Sequence, residues 1–231
     1  MQKILISLAV FSLAHGVNAD SASMLAYKVQ EQGVDPYFSR ILVTDEFVRL
    51  DEGQNEGNYT LLDRSKGTIY NIEHEGRSVL VMDASKHKVG SQDTLVFSET
   101  ITPNAQAPKV AGVQPQNVTL MANADVCAEM VTAPGLMPKA LNGMREFKQI
   151  LARIQASTLA ARPAGVDTAC DLANNVYAAE REWGFGLPVS EVIPGRKQTL
   201  VDFSESVNID AKLFTVPEDY RQTQLPSLLA F

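Results

Sequence analysis

Thiol and imidazole groups are scarce in this chain: 231 residues hold two cysteines and three histidines, and tryptophan occurs once. His15 falls in the first segment, and neither His74 nor His87 has a Cys, His or acid at a recognised metal spacing. No metal or other cofactor is expected. A basic surplus is lacking too, since the net charge is −7 with acids and bases interspersed, which argues against nucleic acid or anionic headgroups as main partners. Beyond the first segment no apolar run reaches the roughly 18 residues a membrane helix needs. The chain is therefore not expected to span a membrane as a helix, and it shows no repeat or low-complexity stretch.

What is present begins with an address. Lys3 is a positive start, Ile4 to Ala14 is apolar but too short to span a bilayer, and Val17-Asn18-Ala19 are small residues of the kind signal peptidase accepts. Residues 1–19 are read as a signal peptide cleaved near Ala19, which places the remainder, 20–231, in a periplasm or outside the cell as a single domain. In such an oxidising compartment Cys127 and Cys170 are read as a structural disulfide. It would close a loop of about 44 residues, worth up to ~4 kcal/mol in the chain-entropy account. A thiol redox couple would prefer C-x-x-C spacing.

From Ser23 to about Thr132 the pattern is strand after strand, rich in Val, Ile, Leu, Thr and Tyr and divided by short polar turns. Strands are expected at 24–32, 39–44, 47–51, 58–63, 68–74, 77–83, 94–101, 117–122 and 126–132, with the three-proline stretch Pro103 to Pro115 as a loop crossing an edge. The period then changes. Met137, Leu141, Met144, Phe147, Leu151 and Ile154 form one apolar stripe of a helix starting near Pro138. Thr168 and Asp171 resemble a capping box opening a second helix, with Leu172, Val176, Ala179 and Trp183 on one face. Strand character returns at 188–193, 198–205 and 212–216. About nine to eleven antiparallel strands with a helical insertion at about 137–184 are too many to stay flat. The expected fold is therefore α+β: a curved antiparallel sheet, or half-barrel, with two helices packed on its concave face and an apolar cavity between the layers.

The residues also carry a resemblance. Tyr37 to Asp51 (YFSRILVTDEFVRLD) resembles the first paired strands of the periplasmic lipoprotein-carrier half-barrels, Asp63 to Ile72 their next hairpin, and Leu213 to Tyr220 their closing F-x-x-P-x-x-(Y/V) strand end. The likeness is closer still to a group of secreted bacterial half-barrel proteins of unknown function. It implies an incomplete barrel around an apolar ligand, in the carriers a lipoprotein acyl chain, and places Arg49 where the carriers hold an inward arginine important for transfer. The carriers' aromatic-rich segment is reduced here to Tyr70, and the segment Pro138 to Trp183 has no counterpart in them.

Catalytic readings are weaker. Asp83 to Lys88 holds a serine, a histidine and an acid without the glycine elbow that exposes a nucleophile, so it reads as a polar loop. His74, at a hairpin end, reads as a solvated turn residue. Glu180 and Glu182 face different sides of a helix. Met130, Met137 and Met144 recur every seven residues, which suggests copper, but two of them lie on the helix stripe, where core packing is the ordinary use. No catalytic residue is expected and the chain is not read as an enzyme. Two functions remain: a binding or carrier module for a lipid or other hydrophobic molecule, with Arg49, Met144, Phe147, Leu151 and Trp183 at the ligand, or an envelope scaffold whose partners are other proteins. The C-terminal tail with its final Phe231 is read as disordered or docked.

Overall fold

Along the first strand, β1 (Asp20–Glu31), Leu25, Tyr27 and Val29 are buried toward one side while Ala22 and Met24 pack on the other. That double alternation recurs through the sheet and divides the core into two layers. The structure, a computed structural model, describes residues 20–225 except 86, 93 and 164, so residues 1–19 and the C-terminal tail beyond 225 lie outside the described part.

After β1 the chain runs through β2 (Tyr37–Val43), β3 (Phe47–Asp51), β4 (Tyr59–Asp63), β5 (Thr68–Glu73) and β6 (Ser78–Asp83), each pairing antiparallel with the one before. It then crosses to β7 (Phe97–Pro103), β8 (Gln116–Ala122) and β9 (Asp125–Ala133), passes through the helical segment, and returns as β10 (Leu187–Ile193) and β11 (Arg196–Ile209). A final strand, β12 (Arg221–Gln224), pairs parallel to β6. Among the described residues these form one open 12-stranded sheet in the order β12-β6-β5-β4-β3-β2-β1-β11-β10-β9-β8-β7. The fold is α+β, as expected.

Curvature follows from what the core collects. Ala84, just past β6, and Val110 and Val113, from the β7–β8 loop at the other end of the sheet, all pack against one cluster with Met144, Phe147 and Ile150. Both ends of the sheet therefore bend toward α1 (Pro138–Thr158), which lies against β1, β2, β3 and β5. The helix comes unusually close at Gly143, where an added Cβ would sit 2.5 Å from a Val43 methyl and 3.2 Å from one of Val48. Glycine costs helix propensity, about 1 kcal/mol against alanine, and here it makes the close crossing possible. The helix is entered through Met137, which takes a left-handed φ of 57° while fully buried and donates its backbone N–H to Glu205 Oε1 at 2.9 Å.

The other side of the sheet carries a smaller core of Leu42, Tyr59, Leu61, Ile72, Val79 and Val81, covered by Phe214 and its neighbours. Here one expectation fails: 212–216 is not a strand. Asp210 accepts from the Lys212 N–H and caps a 3-10 turn, Ala211–Phe214, whose aromatic ring drops beside Phe47. The second helix is also shorter than expected. The Thr168–Asp171 capping box is present, but α2 (Ala169–Leu172) lasts one turn, widens into π-type winding over Ala173–Tyr177, breaks at Ala178 and resumes as a 3-10 turn, Arg181–Gly184. Beyond the break Trp183 is buried in the core, and its neighbour Glu182 meets Lys148 of α1. Cys127 and Cys170 are disulfide-bonded, tying β9 to α2. No described helix is long and apolar enough to cross a membrane.

Candidate functional site

Strand β10 is bulged against β9 between Pro188 and Ser190; Leu187 and Val189 pack against the core shared with α1, and Glu191 is buried two residues further on. A carboxyl group is thus carried into the core, and Glu191 is 2% exposed. Its register partner on β11, Gln198, donates Nε2–H to Glu191 Oε2 at 2.6 Å. Arg196 donates to Gln198 Oε1 at 2.9 Å, stands 3.7 Å from the same Glu191 oxygen and pairs with Glu31 at 3.2 Å. The other Glu191 oxygen, Oε1, has no donor.

Glu182 completes the arrangement. Its Oε1 receives Lys148 Nζ at 2.8 Å and the Trp183 indole N–H at 2.8 Å, and its carboxylate lies within hydrogen-bond reach of Glu191. Burial, then the Glu182 charge and its hydrogen bond, push Glu191 up to about 8, so Glu191 is the protonated member and donates to Glu182 at neutral pH. Burial would raise Glu182 as well, but the Lys148 charge and the hydrogen bonds converging on it hold it below the usual carboxylate range. Burial likewise works against the Lys148 ammonium and is outweighed by Glu182. Beneath the pair, the Tyr27 hydroxyl donates to the Pro188 carbonyl at 3.1 Å; burial first, then Glu191 and Glu182, keep it a phenol.

Lys148, Glu182 and Arg196 form one wall of a cavity of about 400 Å³. Thr168, Cys170, Asp171 and Asn174 face it from the start of the second helical segment, and Val126, Ile193 and Pro194 close it from the sheet. The disulfide thus holds the opposite walls together. The lining can offer carboxylate acceptors, amide groups and two cations to a small polar molecule, with a short apolar strip.

The residues expected at a ligand are not gathered here. Met144, Phe147 and Trp183 are 2%, 6% and 4% exposed and pack with half-buried Leu151 into the layer between α1 and the sheet. The cavities of about 540, 400, 300 and 230 Å³ among the described residues are lined by other side chains. Arg49 is on the far side of the sheet, because Val48 and Leu50 take the helix side of β3. It is 1% exposed, bonded to Asp51 at 2.6 Å and to the Leu213 carbonyl at 2.6 Å, with its guanidinium 3.8 Å from the centre of the Tyr59 ring. Arg49 therefore pins the C-terminal segment and meets none of the other four. Met130, Met137 and Met144 are core residues. His74 is no free turn residue, since Nδ1 lies 2.6 Å from the Tyr220 hydroxyl. Lys86, in the Asp83 to Lys88 loop, is outside the described residues.

Two signals for this buried cluster lay in the sequence. Glu191 and Gln198 occupy inward positions of otherwise ordinary strands, and Lys148 lies between Met144 and Leu151 on the apolar stripe of α1. The carboxyl group within reach of Glu182 is Glu191 in the next strand, and not Glu180, which the helical spacing already sets on a different side.

No protein-family model matches the chain, and no curated protein matches it. Among solved structures it is similar to an uncharacterized conserved protein from Thermus thermophilus, at 11% identity over 88% of this chain and 91% of that one, with a TM-score of 0.42. It is also similar to PNGF-II in its C2 crystal form, at 9% identity and a TM-score of 0.41, and in its P21 form, at 8% and 0.39. There the alignment covers 90% of this chain but 31% and 32% of PNGF-II. Likeness this distant says nothing of ligand or activity.

Proposed function

We propose that the chain is a non-catalytic binding module acting in the periplasm or outside the cell, once residues 1–19 are removed, and that its ligand is a small polar molecule rather than a lipid. The observation that supports this most is the cavity of about 400 Å³ walled by Lys148, Glu182 and Arg196. An acyl chain between helix and sheet would have to displace the buried side chains of Met144, Phe147 and Trp183, at core-disruption cost, whereas a polar molecule meets hydrogen-bonding groups already held in place. Binding suits the acid pair better than turnover. Glu182 is occupied by Lys148 and Trp183, and the proton on Glu191 lies behind it, so neither carboxyl is free to exchange protons with a substrate. On this reading the resemblance to the lipoprotein carriers extends to the fold alone, with the ligand site in the helical segment that has no counterpart in them.

Thermal unfolding with free amino acids, short peptides, mono- and disaccharides, fatty acids and phospholipid tests the proposal. A polar compound should raise the melting temperature of the wild-type protein and of Leu151→Glu but not of Glu182→Gln, each against its own baseline, by mass action on the folded state. A rise confined to the acyl lipids, or none with any polar compound, overturns it.

The scaffold alternative keeps one observation of its own, the exposed outer strand β7 at the end of the open sheet.

A further inference from the structure

The register of β7 against β8 fixes which backbone groups of β7 point outward. Asn104 donates to the Pro115 carbonyl, so the hydrogen-bonded partners along this ladder are Thr102 with Asn117, Thr100 with Thr119 and Ser98 with Met121. The N–H and C=O groups of Phe97, Glu99 and Ile101, and the Pro103 carbonyl, therefore face away from the sheet. Glu99 to Pro103 are exposed, Ile101 by 47%, and no described residue bonds to this outer edge. Edge strands in natural proteins are commonly blunted by charge, brevity or a bulge. β7 spans seven residues with no register shift against β8, and its protections are one charge, Glu99, and a proline at its last position, Pro103.

We propose that this edge pairs with the β7 edge of a second copy of the chain, antiparallel about a two-fold axis at Thr100, joining two open sheets into one. The inference rests on the scaffold alternative and not on the polar cavity. Charge and backbone chemistry select both the partner and the register. With Thr100 facing the partner's Thr100, Glu99 exchanges both backbone hydrogen bonds with the partner's Ile101, and the Phe97 N–H reaches the carbonyl of the partner's Pro103. Ser98 faces the partner's Thr102, a favourable hydroxyl pair. A register centred on Glu99 would set two carboxylates against each other. One centred on Ile101 would place Glu99 opposite the partner's Pro103, which has no N–H to give, and would carry the partner of Phe97 beyond the end of the strand. The two-fold at Thr100 keeps the carboxylates from facing each other and moves the missing N–H to the two ends of the ladder, where only the Phe97 carbonyl goes without a donor. Glu99 also keeps its own electrostatic partner, since it lies near enough to Arg181 to favour that cation.

Sedimentation velocity over a range of concentrations, on the full secreted chain, tests the pairing. Wild type should show a concentration-dependent monomer–dimer equilibrium. Glu99→Pro removes an N–H that points only outward, so it should abolish the dimer while leaving the fold intact by circular dichroism. Thr100→Lys and Thr100→Glu each put like charges opposite across the axis and should weaken the dimer by about tenfold or more, and mixing the two should restore it as a heterodimer. Recovery on mixing requires that the two substituted positions face each other, which a mere folding defect cannot mimic. Wild type that stays monomeric throughout, or a dimer indifferent to Glu99→Pro and to both charge variants, overturns the inference.

Discussion

At the scale of single residues, two buried ionic groups do different work. Arg49 and Asp51 are side-chain neighbours on β3, and Asp51 takes Arg40, Arg49 and the Gly53 N–H. Burial would raise its pKa, and those three contacts together hold it below the usual carboxylate range. Asp51→Ala strands the Arg49 charge in a site 1% exposed and is expected to cost about 3 to 5 kcal/mol in urea melts. A cost below about 1 kcal/mol would mean that Arg49 keeps water within reach. Glu191 works through its proton. Its folded pKa of about 8 lies above the ~4.3 of an unfolded glutamate, so between those values the folded state holds the extra proton. Stability should fall as pH rises through that window and level off above it. Glu191→Gln should remove the fall, matching wild type near pH ~5 and exceeding it near pH ~9 by on the order of a few kcal/mol. Parallel slopes in the two proteins would show that Glu191 is ionised at neutral pH.

At the scale of elements, α1 sets how much of the molecule can be read from its pattern. Its apolar stripe announced the helix and its buried face, and the structure puts Leu141, Met144, Phe147 and Ile154 in the core. Phe147→Ala should cost about 3 to 5 kcal/mol, while exposed Gln149→Ala should shift the melt by less than ~0.5 kcal/mol. Gly143→Ala should also destabilise, by about 1 to 3 kcal/mol, despite the better helix propensity, because its methyl meets Val43. A more stable Gly143→Ala protein would show that helix and sheet can part without loss. Strands β3 to β6 were legible for the same reason as α1, since alternation with a buried face repeats every two residues. What stayed hidden is what alternation does not encode. Lys148 on the stripe reads as a tolerated surface lysine until Glu182 is brought to it by the break at Ala178. Arg49 reads as inward until the parity of Val48 and Leu50 decides its side. β12 is all polar, Arg-Gln-Thr-Gln, and only tertiary position makes it a strand.

At the scale of the whole molecule, the open sheet bends until its two ends share a core with α1, and Met144, Phe147 and Trp183 are buried in that shared core. The cavity of about 400 Å³ on which the proposal rests lies at the seam between the disulfide-tied helical segment and β9 to β11, where Lys148, Glu182 and Arg196 face it. The central claim is therefore one of location: polar binding at that seam and no acyl chain in the helix layer. Native mass spectrometry of protein extracted gently from the periplasm, without reductant, reads it directly. The expected species is the disulfide-bonded chain beginning at Asp20, free of lipid mass in wild type, Leu151→Glu and Glu182→Gln alike. Fatty-acid or phospholipid mass on wild type that survives Glu182→Gln and disappears in Leu151→Glu would contradict the claim and put the ligand between helix and sheet.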